Sequence, residues 1–171
     1  MTRLLTVLAA VGVASLSGVF LTASASSAPD GGASACTLLA AKSGILASNL
    51  PKRVKRDAVG KEGSGIDRLI CHDLTYDGRK DMVASVRAGG AAGVEAWVFF
   101  RSVARGWKLS FRRIDLIRAK IKIAGEAIVE SDPVYRRGDK RPCCPTGGSK
   151  HYRFEWQGGR MLTARVWRTR P

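Results

Sequence analysis

The chain has few of the residues and patterns that mark common enzyme sites. It contains two histidines, His72 and His151, and neither lies in an H-E-x-x-H pattern. It also lacks a G-x-S-x-G elbow, a Walker loop and a G-x-G-x-x-G turn. With no catalytic spacing to assign, we predict that the protein is not an enzyme and has no catalytic residues. A hydrolase of unknown substrate that uses Asp73, Asp77 or His151 is the alternative.

Acidic residues are scarce relative to basic ones. Lys and Arg number 29 against 14 Asp and Glu, a formal net charge of +15. This excess produces a positive field that attracts polyanions, and the many arginines suit bidentate contacts to phosphate or carboxylate. We therefore expect an anionic wall polymer or envelope component as partner and no specific nucleic acid; a solvated basic surface without a dedicated partner is the alternative. The candidate anion-binding residues are Arg136, Arg137, Lys140, Arg141 and Arg153.

The chain has no cysteine directly after its N-terminal apolar run, which excludes a lipoprotein signal. A basic start, the apolar run Leu4–Leu21 and an A-x-A pattern at 23–25 predict a cleaved signal peptide over residues 1–25. A transmembrane helix is the competing interpretation, because the run is near spanning length. A flexible linker over 26–34 and a single domain over 35–171 follow. We expect a secreted or cell-envelope protein with no transmembrane segment after cleavage.

Four cysteines are present, and they lack the C-x-x-C spacing of a metal site. An even number of cysteines after a signal peptide predicts that they form disulfides, here two. We favour pairings in which Cys143 and Cys144 join different partners, one Cys36 and the other Cys71. Adjacent cysteines in an extended segment point apart, so one sulfur would face the helix and the other the Cys71 strand. The alternative is a vicinal Cys143–Cys144 bridge with a Cys36–Cys71 bridge.

The apolar period predicts one helix followed by a sheet. Apolar residues at helical spacing predict a helix that is capped by Ser34, runs to about Asn49 and ends before Pro51. The following segment, Lys52–Lys61, is interpreted as an exposed basic loop. From Leu69 onward, short runs alternate with period two between glycine turns, which indicates an antiparallel meander of about six to eight strands. The predicted fold is α+β and mostly β: an N-terminal helix packed on an antiparallel meander sheet, stapled by disulfides.

Aromatic residues make up only 7 % of the chain but fall mainly in these strands. They are typical of a sheet core, with a sugar- or base-stacking platform beside arginines as the alternative. The platform would comprise Trp97, Trp107, Trp156, Trp167, Tyr152 and Phe154 beside Arg153, Arg160 and Arg165.

The segment 73–81 carries oxygen ligands at alternate positions and a glycine that permits a sharp turn. Asp73, Thr75, Asp77 and Asp81 are the candidate calcium ligands, and a calcium-stabilised interaction module is an alternative function. Two basic residues inside the segment oppose a cation. The competing interpretation is an Asx-type turn in which the carboxylates accept backbone N–H groups. No other cofactor is expected.

Three stretches together resemble a family of small exported proteins from high-GC Gram-positive bacteria, the LppP/LprE-like lipoproteins and related secreted proteins of unassigned function. The stretches are C-H-D-L-T-Y-D-G-R-K-D-M-V from Cys71, the segment from Pro133 to Gly148 and the aromatic run Y-R-F-E-W from Tyr152. The most specific piece is C-C-P-T-G-G from Cys143. The resemblance covers the region from Leu69 on and implies an exported envelope or extracellular protein, without implying a reaction. The chain departs from the lipoprotein pattern because it lacks the lipidated cysteine.

Overall fold

The computed structural model describes residues 35–61, 63–140 and 143–171. The predicted signal peptide over 1–25, the linker over 26–34, the Ser34 cap and the candidate residue Arg141 lie outside these ranges. The described residues form two α-helices, eight strands and a short 3-10 turn at Gly90–Ala92. The elements are α1 (Leu38–Ala47), α2 (Lys52–Val59), β1 (Gly65–His72), β2 (Asp81–Arg87), β3 (Val94–Val103), β4 (Gly106–Arg113), β5 (Lys120–Ala124), β6 (Ala127–Pro133), β7 (Ser149–Gln157) and β8 (Arg160–Thr169).

The strands form two antiparallel four-stranded sheets, each a meander in chain order. The first sheet has the order β1-β2-β3-β4 and the second the order β5-β6-β7-β8. The predicted fold class, mostly β with an N-terminal helix and antiparallel meander pairing, is confirmed. The division into two sheets, at the connection between β4 and β5, is a feature that the sequence pattern did not indicate.

The helices cover one face of the first sheet. Ala41 and Ile45 of α1 pack with Met82 of β2 and Phe100 of β3 in one buried cluster. Gly44 permits this approach, because a Cβ atom there would lie 3.1 Å from the Phe100 ring. The helix begins after Thr37, whose hydroxyl accepts the Ala40 N–H at 3.1 Å, rather than after Ser34.

The segment interpreted as an exposed basic loop is in fact helix α2. Val54 and Ala58, four residues apart, are buried against the first sheet, and their exposed fractions are 0 % and 1 %. The prediction was wrong because two small apolar residues among many cations give a weak pattern. They nevertheless make a sufficient apolar stripe when a sheet lies beneath them.

The opposite face of the first sheet packs on the second sheet. Trp97 of β3 contacts Phe154 of β7 edge to face, with ring centroids 5.3 Å apart, and both side chains are buried. Strands β2 and β3 are therefore buried on both faces, between the helices and the second sheet. The molecule has three layers: helices, first sheet and second sheet. None of the helices in the part of the chain that the structure describes has the length and hydropathy needed to cross a bilayer.

The disulfides pair in the arrangement that the sequence analysis did not favour. Cys36, before α1, is bonded to Cys71 of β1 with Cα atoms 6.1 Å apart, and Cys143 is bonded to Cys144. The prediction of crossed pairs was wrong because it assumed that the Cys143 segment is extended and lies near the helix. This segment is instead a turn in the loop between β6 and β7, on the second sheet, whereas Cys36 and Cys71 belong to the other layers. We refer to the Cys143–Cys144 pair as the vicinal cystine.

Candidate functional site

The outer face of the second sheet carries two rows of residues that run across its four strands. Alternation along each strand sends Ile121, Ile128 and Phe154 into the core, so the residues between them point outward. Strand register defines the rows: Lys122, Val129, Arg153 and Arg165 form one, and Lys120, Ser131, His151 and Trp167 form the other. We call these eight residues the basic face. Both helices lie on the first sheet, so neither covers it.

The first row places cations on both sides of an apolar centre. Val129 is only 4 % exposed although it faces outward, and its register neighbours are Lys122 and Arg153. Long cationic side chains bury their aliphatic stems over such a centre and keep the charged ends in water. The row therefore presents charge at the surface while it shields the sheet beneath.

An aromatic pair and a line of hydroxyl groups occupy the second row. The His151 ring stacks on Trp167 with centroids 5.0 Å apart and planes 16° apart, and the Arg165 guanidinium lies 5.5 Å from the Trp167 ring centre. His151 Nδ1 and the Ser131 hydroxyl are 2.8 Å apart, and Nε2 lies 3.0 Å from the Thr169 hydroxyl. Both imidazole nitrogens are thus held by hydroxyl groups, which orients the stacked pair.

One acidic residue partly offsets these cations. The Arg153 guanidinium donates to Glu155 at 2.6 Å, and this bond lowers the pKa of the Glu155 carboxyl. Lys120, Lys122 and Arg165 complete the set of cations in the two rows. The basic face retains a positive excess after the Arg153–Glu155 pair is counted.

A cavity of about 380 Å³ adjoins the second row beneath the loop between β6 and β7. Basic groups and hydroxyls line it, with Arg118, Lys120, Ser131, Thr169 and Arg170 among them. Arg118 donates to the carbonyl oxygen of Cys143 at 2.6 Å. The vicinal cystine is therefore connected through Arg118 to one wall of the cavity.

The β6–β7 loop holds most of the predicted anion-binding residues. The Asp139 carboxylate accepts the N–H groups of Arg136 and Thr146 at 2.6 and 2.9 Å, which lowers the pKa of Asp139. Arg136, Arg137 and Lys140 are exposed on this loop. The structure thus places Arg153 on the basic face and the three other cations on the β6–β7 loop, whose Pro145 and Gly148 line the cavity.

A buried charged cluster that the sequence pattern does not predict lies between the sheets. Glu130 is 0 % exposed and accepts bonds from the Trp97 indole N–H and from Arg113 Nη2, the latter at 2.8 Å. Asp132 follows on the same face of β6, and Arg113 Nη2 lies 3.9 Å from its carboxylate. Burial, together with the neighbouring Glu130 charge, raises the pKa of Asp132 to about 7. Two acids at alternate positions after the apolar run of β6 were the available sequence signal.

A second buried carboxyl lies at the helix side of the first sheet. Burial and the neighbouring Asp57 raise the pKa of Glu95 to about 7. Arg53 Nε lies 3.5 Å from this carboxyl. Because the site is packed between α2 and β3, it offers no opening to the basic face.

The candidate calcium ligands form a hydrogen-bonded turn between β1 and β2. The buried Asp81 carboxylate accepts the N–H groups of Leu74, Thr75 and Ser102 at 2.9 to 3.0 Å. Asp73 accepts the N–H groups of Asp77 and Gly78, and Asp77 pairs with Arg79, which lowers its pKa.

These bonds give each carboxylate of the turn a partner in the fold. Among residues 35–61, 63–140 and 143–171, no group of three or more His, Cys, Asp and Glu side chains is arranged to hold a metal ion. Calcium binding by Asp73, Thr75, Asp77 and Asp81 stays a prediction.

The residues proposed for a hydrolase are not brought into one site. Asp73 and Asp77 belong to the β1–β2 turn of the first sheet, whereas His151 points outward from the second. His151 does contact the Ser131 hydroxyl, but its other nitrogen contacts a threonine hydroxyl. A catalytic triad needs an acid at that position to orient the imidazole.

Most of the predicted stacking platform is core. Trp97 and Phe154 are buried, and Trp156 packs on Phe99 with ring centroids 5.6 Å apart. Trp107 packs against the helix-side cluster. Of the four tryptophans, Trp167 is the one that lies on the basic face.

The chain matches no family model, no curated protein sequence and no solved structure.

Proposed function

We propose that the protein is an exported, non-enzymatic protein that binds an anionic polymer of the cell envelope through the basic face. The observation that carries the proposal is the pair of register-aligned rows on the outer face of the second sheet, with two lysines at the β5 edge and Arg165 at the β8 edge. The signal-like N-terminus and the disulfides support export, because disulfides persist in oxidising compartments.

The arrangement suits a chain of repeating anionic groups better than a single small anion. The two rows are separated by about 7 Å, two residues along a strand. A polymer that lies along the strands would therefore meet Lys122 and Lys120 in succession at one edge. At the other edge it would meet Arg165 and then the face of Trp167.

Each group on this face has a defined use in such a complex. Arginine and lysine bind phosphate or carboxylate oxygens, and arginine does so with paired N–H groups. The Trp167–His151 stack offers an apolar plane for a sugar ring or base. The cavity next to Lys120 provides further donors at the end of the second row.

Binding can be tested with two fluorescently labelled probes, purified poly(glycerol phosphate) and a single-stranded oligothymidylate. We expect a linear decrease of log affinity with log salt concentration. The double variant Lys122→Gln with Arg165→Gln should reduce the slope by about 1 to 2 and weaken binding at least tenfold at low salt. Fluorescence anisotropy titrations at several salt concentrations measure both quantities.

A control of equal charge separates a specific face from general attraction. Arg105→Gln with Lys108→Gln removes two cations from the exposed β3–β4 hairpin of the first sheet. This control should retain nearly wild-type affinity. The proposal would be refuted if both double variants lowered the affinity equally or if binding did not depend on salt. It would also be refuted if neither probe bound.

A further inference from the structure

The helical layer exposes large aliphatic side chains on the side of the molecule opposite the basic face. Leu38 is 59 % exposed, Leu39 75 %, Leu46 43 % and Val59 40 %. Of the described residues, these four are the large aliphatic side chains exposed on the helices. Clustered apolar exposure of this kind marks an interaction surface rather than ordinary solvent contact.

The geometry of α1 explains why these leucines point outward. The inner face of the helix is occupied by Ala41, Ile45 and the close approach of Gly44 to Phe100. Leu39 and Leu46, seven residues apart, consequently share the opposite face.

A shallow groove joins α1 to α2. Lys42 Nζ donates to the carbonyl oxygen of Val59 at 2.8 Å and connects the two helices. The groove has a volume of about 330 Å³, and Leu38, Leu39, Ala58 and Val59 are among its lining residues. Leu38, Leu39 and Val59 therefore form an apolar strip along this groove, and Leu46 lies about two turns further along α1.

The surface beside this strip is cationic. Residues 35–61 contain six Lys and Arg and a single acid, Asp57, and Asp57 is buried with 9 % exposure. The cations are Lys42, Lys52, Arg53, Lys55, Arg56 and Lys61. Arg53 pairs with Asp115 and Glu95, and Arg56 pairs with Asp57, so the four lysines supply the positive excess. Lys52 and Arg56, one turn apart on α2, are both exposed.

We propose that this helical layer docks on the surface of an anionic lipid bilayer. Aliphatic side chains would enter the boundary between headgroups and acyl chains, while the flanking cations contact lipid phosphates. We call the strip and its cations the helical face. This inference is independent of polymer binding, because the helices and the basic face lie on opposite sides of the first sheet.

Charge complementarity selects a bilayer over two other occupants. A second copy would bring two cationic helical faces together, and like charges repel. The preceding segment 1–34 carries one Arg and one Asp, so it cannot neutralise the surface. An anionic membrane supplies both the apolar layer and the compensating charge.

The test is vesicle flotation of the protein purified as its producing cells process it, with the N-terminus established by mass spectrometry. One set of vesicles is pure phosphatidylcholine, and the other contains equal parts phosphatidylcholine and phosphatidylglycerol. We expect binding to the anionic vesicles alone. The double variant Leu38→Ser with Leu39→Ser should bind at least tenfold more weakly, given the apolar area that each leucine inserts.

Two further variants complete the comparison. Lys52→Gln with Arg56→Gln should weaken binding about tenfold at low salt, because each cation near an anionic surface contributes to attachment. Val166→Ser removes a large aliphatic side chain from β8 that is 49 % exposed, so it serves as the matched control and should bind like wild type. Circular dichroism and thermal unfolding verify that every variant is folded.

Several results would overturn the proposal. The proposal fails if the protein binds both vesicle types equally or if the leucine double variant binds like wild type. It also fails if Val166→Ser weakens vesicle binding as much as the leucine double variant does. Sedimentation without lipid distinguishes the other occupants: a dimer that Leu38→Ser with Leu39→Ser dissociates would assign the face to a second copy. Hydrogen exchange provides a positive signature, because anionic vesicles should protect amides of α1 and α2 while β8 exchanges unchanged.

Discussion

Asp132→Asn tests whether the buried acid pair between the sheets opposes folding at neutral pH. Asp132 lies on the inner face of β6 with a side chain 23 % exposed. Its Oδ1 atom is buried without a hydrogen-bond partner. Replacing the carboxyl with an amide removes the charge and adds donors that can reach Glu130, at almost constant volume.

The magnitude follows from the pKa of this carboxyl. Burial raises it from 3.8 to about 7, with the Glu130 charge as the next cause and with Arg113 and Lys150 opposing the shift. The folded protein therefore keeps this proton at pH values where the unfolded chain has lost it. The contribution of this carboxyl to stability is therefore greatest below about pH 4 and is lost as pH rises to about 7. One pKa unit corresponds to about 1.4 kcal/mol, so a rise from 3.8 to about 7 costs about 4 kcal/mol of stability.

Urea unfolding at pH 4 and pH 8 measures the effect. We expect the variant to gain about 4 kcal/mol over wild type at pH 8 and less than about 1 kcal/mol at pH 4. Glu95, whose pKa is also raised to about 7, is present in both proteins and cancels in the difference. Asp115→Asn is the control, because its carboxylate is 68 % exposed and the change should be small at both pH values.

Two outcomes would refute the reasoning. A gain of equal size at both pH values would mean that the amide improves packing rather than removing a buried charge. A loss of stability at pH 8 would mean that the Arg113 guanidinium, 3.9 Å from the carboxylate, stabilises the ionised form in the folded protein.

Two other predictions concern the backbone and the long disulfide. Gly148→Ala should cost about 2–4 kcal/mol in urea unfolding, because its φ of +80° is left-handed and the new Cβ would collide with a backbone carbonyl of β8. Gly158→Ala, with nothing within 4 Å of its Cβ, should cost only about 1 kcal/mol. Cys36→Ser with Cys71→Ser should cost about 4 kcal/mol, because that bridge closes a separation of 35 residues. Removal of the vicinal cystine should cost much less, since its separation is 1; a similar loss from both would contradict this chain-entropy argument.

The sequence was informative where structure depends on local period. Alternating runs such as the one around Tyr152 and Phe154 predict strands because successive side chains point to opposite faces. The apolar spacing of Ala41 and Ile45 predicts α1 for the equivalent reason. The same spacing in α2 does not by itself predict a helix, because Val54 and Ala58 have an apolar surface to cover only when the first sheet lies beneath them.

Non-local pairing lies beyond such patterns. Arg153 was predicted to bind anions from its residue type, but its alignment with Lys122 and Arg165 depends on the register of four strands. In the sequence, Glu130 and Asp132 have the pattern of ordinary polar strand residues. Their burial depends on contacts with Trp97 and Arg113 of the other sheet, which are distant in the chain.

By itself, the sequence determined the mostly β class, the N-terminal helix and the positive charge, because each is a property of composition or of period along the chain. The tertiary structure alone decided that the strands divide into two sheets and that Cys36 pairs with Cys71. It also decided that cations collect on an open sheet face, while exposed leucines collect on the opposite side. The physical reason is that a period specifies which side of an element is apolar, but which sides meet depends on packing between residues distant in the chain.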